Sequence, residues 1–411
     1  MKDPLLGAKI QSILAALRAD LKPELTSGNA LLRCELIEML LARRSIEVDA
    51  PDIDANDVLS ERDQRNAVED QILETLNTPV EIKGSSTELT IPPETFTKWL
   101  ASSGLGGKVT KVTTVPGGRS KGTLLLDLEG GKDMVIRRDF AAAVTGTSVA
   151  DEYPIIAAVH GAGLCVPEPL ALEESPDVIG GRFIAFEKIG GKSMGNLFAT
   201  DASPQFCRNF AAELAKLHNF DYEKLGLADV IGYGRDENPV ETLITKHEAD
   251  YKAKAHQLPL IDSAFEFLHS QLPHIGNHRH LVHGDCGLHN TMGDGDTFTG
   301  LLDWEFSHAG DPAEDLAYCK FLVTTVMPWE DFMAAYYDAG GPEISARRLS
   351  FFTVWRTLIL SVWTGMARAA YDSGTDRDLR LAAIGHNTFP RQLRALANDL
   401  ADAIKAEEAA S

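Results

Sequence analysis

The chain has 411 residues, 44% hydrophobic and 24% charged, with a net charge of −21. This is the balance of an ordinary globular chain with a substantial core, and at roughly 100–200 residues per domain it predicts two or three domains. The acid surplus argues against nucleic acid and anionic membrane as partners, while leaving room for a local basic pocket that takes phosphate.

Residues 5–47 read as helical. Ile10, Ile13, Leu14, Leu17 and Leu21 share one face of IQSILAALRADL, and Leu32, Leu36, Met39 and Leu40 are core candidates in the next helix. The opening MKDPLLGAKIQSILAAL is interrupted by Lys9, Gln11 and Ser12 and has no cleavage site. VDAPDIDANDVLSERD is an acidic turn region, and AVEDQILETLN predicts another helix. KGSSTELTIPPE then breaks the pattern, which places a domain boundary near 85–95. Residues 1–90 are therefore expected to form a helical domain that packs on the rest or pairs two copies into a homodimer. Nothing in them looks catalytic.

From about residue 108 the pattern changes. KVTKVTTV, TLLLDLEG and KDMVIRRDF read as strands, with PGGRSKG as a glycine-rich turn. SVADEYPIIAAVHGAG reads as a helix closed by Gly161 or Gly163. VPEPLALEE and GRFIAFEKI follow as strands. FCRNFAAELAKLHNF and AFEFLHSQL are helical, and helices run from about 313 onward. The fold class expected is α+β: a small β-rich lobe over 100–190 and a larger helical lobe over 191–400. No apolar stretch reaches the ~18–20 residues of a bilayer span. Five scattered cysteines (Cys34, Cys165, Cys207, Cys286, Cys319) with no C-x-x-C suit a reducing compartment. A cytoplasmic protein without membrane partners is the expectation.

LVHGDCGLHN at 281–290 and LLDWEFSHAGDP at 301–312 carry the chemistry. His283-x-Asp285, four residues and Asn290 match the spacing H-R-D-x-x-x-x-N, with Gly284 in place of arginine. Phosphoryl transfer needs a carboxylate to orient and deprotonate a hydroxyl, which suits Asp285. It also needs hard oxygen donors for Mg²⁺, which suits Asn290 and Asp303. A zinc site built from His283, Asp285 and His289 is the alternative, but it leaves Asn290 and Asp303 without a role and lacks a fourth ligand.

HGDCGLHN followed by LLDWEFSHAGDPAEDLA resembles the signature of the aminoglycoside phosphotransferase family, over about residues 100–390. The resemblance implies a protein-kinase-like two-lobed fold with residues 1–90 as an extra helical domain. It makes Asp285 the catalytic aspartate and Asn290 and Asp303 the Mg²⁺ ligands. His283 braces the loop, and Asp311 and Asp315 fix the following loop and helix. It implies ATP as donor, with GTP also open. Gly117, Gly118, Ser120 and Gly122, with Lys121 as a further donor, form a lid over the phosphates. Arg137 of MVIRR stands where kinases carry lysine and pairs with Glu152, and Arg138 is a second candidate. Phe186 sits behind the base, with backbone groups of Glu187 and Ile189 on its edge.

The partner expected is a small hydroxyl-bearing molecule. Arg137 and the stretch FFTVWRTLILSVWTGMARAAYDSG resemble the acyl-CoA-dehydrogenase-associated branch, which implies a hydroxylated metabolite such as a hydroxyacyl thioester. An aminoglycoside acceptor is one alternative, and a non-catalytic nucleotide-binding scaffold is another. A protein kinase is disfavoured, because D-F-G and A-P-E are absent and little chain separates Asp303 from Asp311.

Overall fold

The computed structural model describes residues 6–18, 22–24, 28–49, 91–115, 121–139, 147–196, 199–376 and 378–410. The helix expected at 67–77 and the glycine turn with Gly117, Gly118 and Ser120 lie outside them. The chain divides into two compact units. One takes in Met1–Glu88, Ala249–Ser263 and Thr357–Asn398; the other takes in Leu89–Glu248, Ala264–Arg356 and Asp399–Ser411.

In the first unit, α1 (Leu6–Ala16) packs on α2 (Gly28–Asp49) through Ile10, Leu14 and Ala42. The expected apolar face holds for Ile10 and Leu14 but not for Ile13, which is 53% exposed. Arg18 Nε lies 2.5 Å from Glu38 across the pair.

The second unit begins with α3 (Pro93–Ser102), a helix the sequence reading passed over because its two prolines look like breakers. They are instead the N-cap residue and the first helical residue, where a missing N–H costs nothing. Strands β1 (Val109–Val115), β2 (Lys121–Leu128) and β3 (Met134–Asp139) follow. Helix α4 (Val149–Gly161) starts at a capping box in which Ser148 and Asp151 satisfy each other's backbone. With β4 (Pro169–Glu173) and β5 (Phe183–Glu187) the strands form one antiparallel sheet, in the order β1-β2-β3-β5-β4. Phe96, Trp99 and Leu100 of α3 share a core with Leu124, Leu126, Ile136 and Phe183 of the sheet. Burying each such large side chain contributes about 1.5–3 kcal/mol.

Alternation along β3 decides which arginine faces which side. Met134, Ile136 and Arg138 are buried, and Arg138 donates to the Ile179 carbonyl at 2.8 Å. Arg137, one residue away, points to the opposite face.

The helical part of this unit contains α5 (Pro204–His218), α6 (Pro239–Lys254) to Glu248, and α7 (Pro259–Ile275) from Ala264. A small β-rich patch follows: β7 (His280–Val282) pairs with β10 (His308–Gly310), and β8 (Thr291–Asp294) lies between β9 (Thr297–Leu301) and the short β6 (Lys192–Ser193). Helices α8 (Ala313–Val323) and α9 (Trp329–Asp338) and the start of α10 (Ala346–Asp372) complete it. A continuous core joins α4, α5, β7, β9, α8 and α9. Among the described residues no helix is long and apolar enough to cross a membrane.

Candidate active site

The loop after β7 is fixed by what it can bond. Gly284 has φ +80°, and a Cβ there would lie 2.4 Å from the Phe306 carbonyl oxygen. A side chain is thus excluded where kinases carry arginine. The N–H groups of His283 and Gly284 donate to the two oxygens of Asp315, at 2.8 and 2.9 Å. Asp315 is fully buried and also accepts from His218 Nε2 at 3.0 Å, while His218 Nδ1 meets the Tyr336 hydroxyl at 2.8 Å. Burial pushes the Asp315 carboxyl up, but the hydrogen bonds from His218 and from the His283 N–H outweigh it and hold it below the usual range. Asp315 therefore fixes the loop that precedes it, not the loop after it. Asp311 holds the helix start as expected. It accepts from Ala313 N–H at 2.8 Å and takes both Nε and NH2 of Arg348, at 2.8 and 2.5 Å.

His283 spends both ring nitrogens in the loop. Nδ1 accepts from Asp285 N–H at 3.3 Å and Nε2 donates to the Leu302 carbonyl at 2.9 Å, a tautomer assigned from these partners. No lone pair remains for a metal, and among the described residues no three His, Cys, Asp or Glu side chains gather as a metal site. The zinc alternative fails on both counts.

Asp285 is held from several sides. Asn290 Nδ2 donates to its Oδ2 at 2.8 Å and to its carbonyl at 3.0 Å. His289 Nε2 lies 3.6 Å from Oδ1. Burial would raise the Asp285 carboxyl, but His289, the Tyr318 hydroxyl and His283 together pull it below the usual carboxylate range. With Nδ2 of Asn290 engaged, its Oδ1 is the end left to meet a ligand. Leu302 N–H donates to the Asn290 carbonyl at 2.8 Å, which ties that residue to the chain beside Asp303. Asp303 has φ +69°, a left-handed backbone that only a few per cent of non-glycine residues adopt and that clusters at functional sites.

Arg137 NH2 lies 2.5 Å from Asp303 Oδ1, while its Nε lies 3.8 Å from Glu152 Oε2. The expected Arg137–Glu152 pair is thus present as a charge contact, and Asp303 is the closer partner. Lys121 is more than the turn donor the sequence suggested. It is 2% exposed, donates to the Thr147 carbonyl at 2.8 Å, and lies 3.5 Å from Glu152 and 3.4 Å from Glu305. Thr123 pairs with Arg137 across the sheet, and Lys121, two residues before Thr123, shares that face. The signal that could have revealed this is strand alternation, usable only once the register is known. Both carboxylate oxygens of Glu152 and the Nε of Arg137 are buried without hydrogen-bond partners among the described residues. Burial, with Asp303 and Glu305 adding to it, pushes the Glu152 carboxyl up to about 7 against the pull of Arg137 and Lys121.

The remaining candidates lie on the sheet. Gly122 is in β2 opposite Arg138. Phe186 is buried in β5 opposite Val135. Glu187 Oε1 pairs with Lys132 at 2.5 Å, and its N–H already donates to the Glu168 carbonyl, so that donor is not available to a base. Ile189 follows two residues later and packs over Gly300. Tyr318 and His218 were missed. Tyr318 lies one helical turn after Asp315 in GDPAEDLAY, a spacing that would have pointed it at the same loop.

The chain resembles known proteins in sequence and in fold. It is 31% identical over 209 residues to acyl-CoA dehydrogenase family member 11 of Gallus gallus, a match that covers 49% of this chain and 26% of the relative. The chain thus spans about a quarter of the length of that relative. In structure it is similar to a putative aminoglycoside phosphotransferase from Ralstonia eutropha, with a TM-score of 0.61 and 20% identity, over 75% of this chain and 98% of the other. It is also similar to macrolide 2'-phosphotransferase MphH from Brachybacterium faecium, with a TM-score of 0.53 and 20% identity, over 71% and 97%. The fold is therefore the kinase-like phosphotransferase fold expected from the signature. Residues 111–351, more than half of the chain and including every residue of the Asp285 loop, match the model of the phosphotransferase enzyme family. The chain belongs to that family, whose enzymes pass a phosphoryl group to an acceptor hydroxyl.

Proposed function

We propose that the protein is an ATP- and Mg²⁺-dependent kinase of a small hydroxylated metabolite, with GTP as the donor to test beside ATP. The observation that supports this reading is that Asn290 Nδ2 holds the Asp285 carboxylate, while Leu302, the neighbour of Asp303, is hydrogen-bonded to the Asn290 carbonyl. The donor set fits Mg²⁺: Asn290 Oδ1 and the Asp303 carboxylate are hard oxygens, and such sites are usually completed by phosphates and water. The Arg137 Nε, without a hydrogen-bond partner among the described residues, and Lys121, which meets the same Glu152 carboxylate, fit a phosphate-bearing ligand. Bound Mg²⁺ would neutralise charge on the nucleotide phosphates.

In this reading Asp285 accepts a hydrogen bond from the acceptor hydroxyl. As that oxygen bonds to the γ-phosphorus, the bond to the β,γ-bridging oxygen breaks, the nucleoside diphosphate leaves and the proton passes to the Asp285 carboxylate. A carboxylate held below its usual range stays ionised at neutral pH and can take it. Arg137 steadies the phosphates while Glu152 steadies Arg137. Fixing the loop through Asp315 supplies positioning, from which much of the acceleration comes.

The name of the relatives, acyl-CoA dehydrogenase, supports an acceptor of hydroxyacyl type such as a hydroxyacyl-CoA. The test measures diphosphate release from ATP or GTP with Mg²⁺ over hydroxyacyl-CoA thioesters, other hydroxylated metabolites and aminoglycosides. Asp285→Asn is expected to keep nucleotide binding and lose turnover by ~10²–10⁴-fold, the usual contribution of a positioned base. Asp303→Ala should also abolish the Mg²⁺ dependence of nucleotide binding. Turnover by Asp285→Asn at the rate of the unaltered protein would sink the assignment.

A further inference from the structure

Near the Asp285 loop stands a cation of a different kind. Arg356, on α10, has its guanidinium carbon 5.4 Å from the Tyr318 ring centre and 5.5 Å from that of Phe321. Its Nε is buried and has no hydrogen-bond partner among the described residues. Arg348 grips Asp311 with two nitrogens, whereas Arg356 feels the charge of the Asp399 and Asp285 carboxylates.

Tyr318 connects Arg356 to the chemistry. Its ring centre is 6.4 Å from that of His289, and His289 lies 3.6 Å from Asp285. A Cβ on Gly287 would come within 3.2 Å of the Tyr318 ring, so the loop runs against it closely. Asp285, Tyr318 and Arg356 thus follow one another in contact, on the loop, α8 and α10. A buried N–H without an acceptor is unfavourable and is best retained where a ligand supplies the acceptor. The face of Tyr318 holds the guanidinium plane in place without consuming its hydrogen bonds.

We propose that Arg356 determines which acceptors are used. Seated on Tyr318 beside Asp285, it takes a carboxylate or acid-derived carbonyl oxygen of the molecule whose hydroxyl is phosphorylated. It favours hydroxy acids and their derivatives over amino alcohols and polycationic sugars. An ammonium group placed there would meet a fixed positive charge at short range. The inference rests on the kinase reading and deepens it.

The experiment uses the full chain with Mg-ATP. Straight-chain hydroxy acids with the hydroxyl on the second to sixth carbon are compared with their amides, the matching amino alcohols and kanamycin. Diphosphate release and binding of each compound to the Mg-ADP-loaded protein are both measured. Acids and amides are expected to bind and turn over, and the cationic compounds to do neither. Arg356→Gln and Arg356→Met should raise KM for the best acid by about 10–100-fold, as expected for losing a charge-assisted pair, with kcat and nucleotide affinity little changed. Arg356→Lys should recover part of the loss. Equal use of amino alcohols, no binding of any acid or amide to nucleotide-loaded protein, or an unchanged KM in a correctly folded Arg356→Met would overturn the proposal. Failure to bind nucleotide at all would instead count against the kinase reading, which keeps the two apart.

Discussion

The Asp285 loop and the charged cluster around Glu152 are both buried and both rich in ionisable groups, yet they are built in opposite ways. In the loop nearly every polar group has a partner: Asp315 accepts from two backbone N–H groups and His218, and His283 uses both nitrogens. In the cluster Lys121 and Arg137 meet Glu152, Asp303 and Glu305 at 2.5–3.8 Å, while both Glu152 oxygens and the Arg137 Nε lack hydrogen bonds among the described residues. The first is a finished network, which holds one geometry. The second sets two cations against three carboxylates without satisfying them all, as expected of groups that exchange partners when a charged ligand arrives. A phosphotransferase needs both, a rigid base and an adaptable charge cradle.

Four substitutions sharpen or break that contrast. Asp315→Ala should have the largest effect. It strands two buried N–H groups and His218, and we expect a loss of ~3–5 kcal/mol in denaturant unfolding, the range for breaking a buried charged network. Lys121→Met should cost less, roughly 3 kcal/mol, because Arg137 still offsets part of the negative charge it leaves behind. If Lys121→Met proved as costly as Asp315→Ala, the cluster would be as finished as the loop. Gly284→Ala must place a Cβ against the Phe306 carbonyl at positive φ, and about 1–3 kcal/mol of strain should appear as a lower unfolding midpoint.

The smallest effect concerns pH. The Glu152 carboxyl, pushed up to about 7, binds its proton more tightly in the folded than in the unfolded chain. Its contribution to stability is therefore full below its ordinary value and is lost as pH rises through about 7. Glu152→Gln cannot titrate, so its melting temperature should fall less than that of the unaltered protein between pH 5 and pH 8. Identical slopes would mean that Glu152 is an ordinary ion-paired carboxylate.

Much of this was legible in the residues themselves. The spacing of His283, Asp285, Asn290 and Asp303 pointed to the site because those groups are close in sequence and share one loop system. The strands of the small lobe announced themselves by alternation. Helix α3 was not legible, because Pro92 and Pro93 look like breakers until it is seen that they open the helix. Lys121 was read as a turn donor because its burial comes from α4 and residue 305, far away in the chain. Nothing marked His218 as a loop support, because its partner Asp315 is 97 residues away.

The sequence by itself determined the reaction class, since the proposed base Asp285 and the proposed oxygen donors Asn290 and Asp303 lie within about twenty residues and local geometry carries their spacing. Only the tertiary structure decided which charges meet. It separated Arg137 from Arg138 by the face of one strand, brought Lys121 and Arg137 to the same carboxylate, and left Arg356 seated on Tyr318 with a buried nitrogen that has no hydrogen-bond partner among the described residues. Those pairings depend on register and packing between distant segments, and a buried charge takes its meaning from what surrounds it.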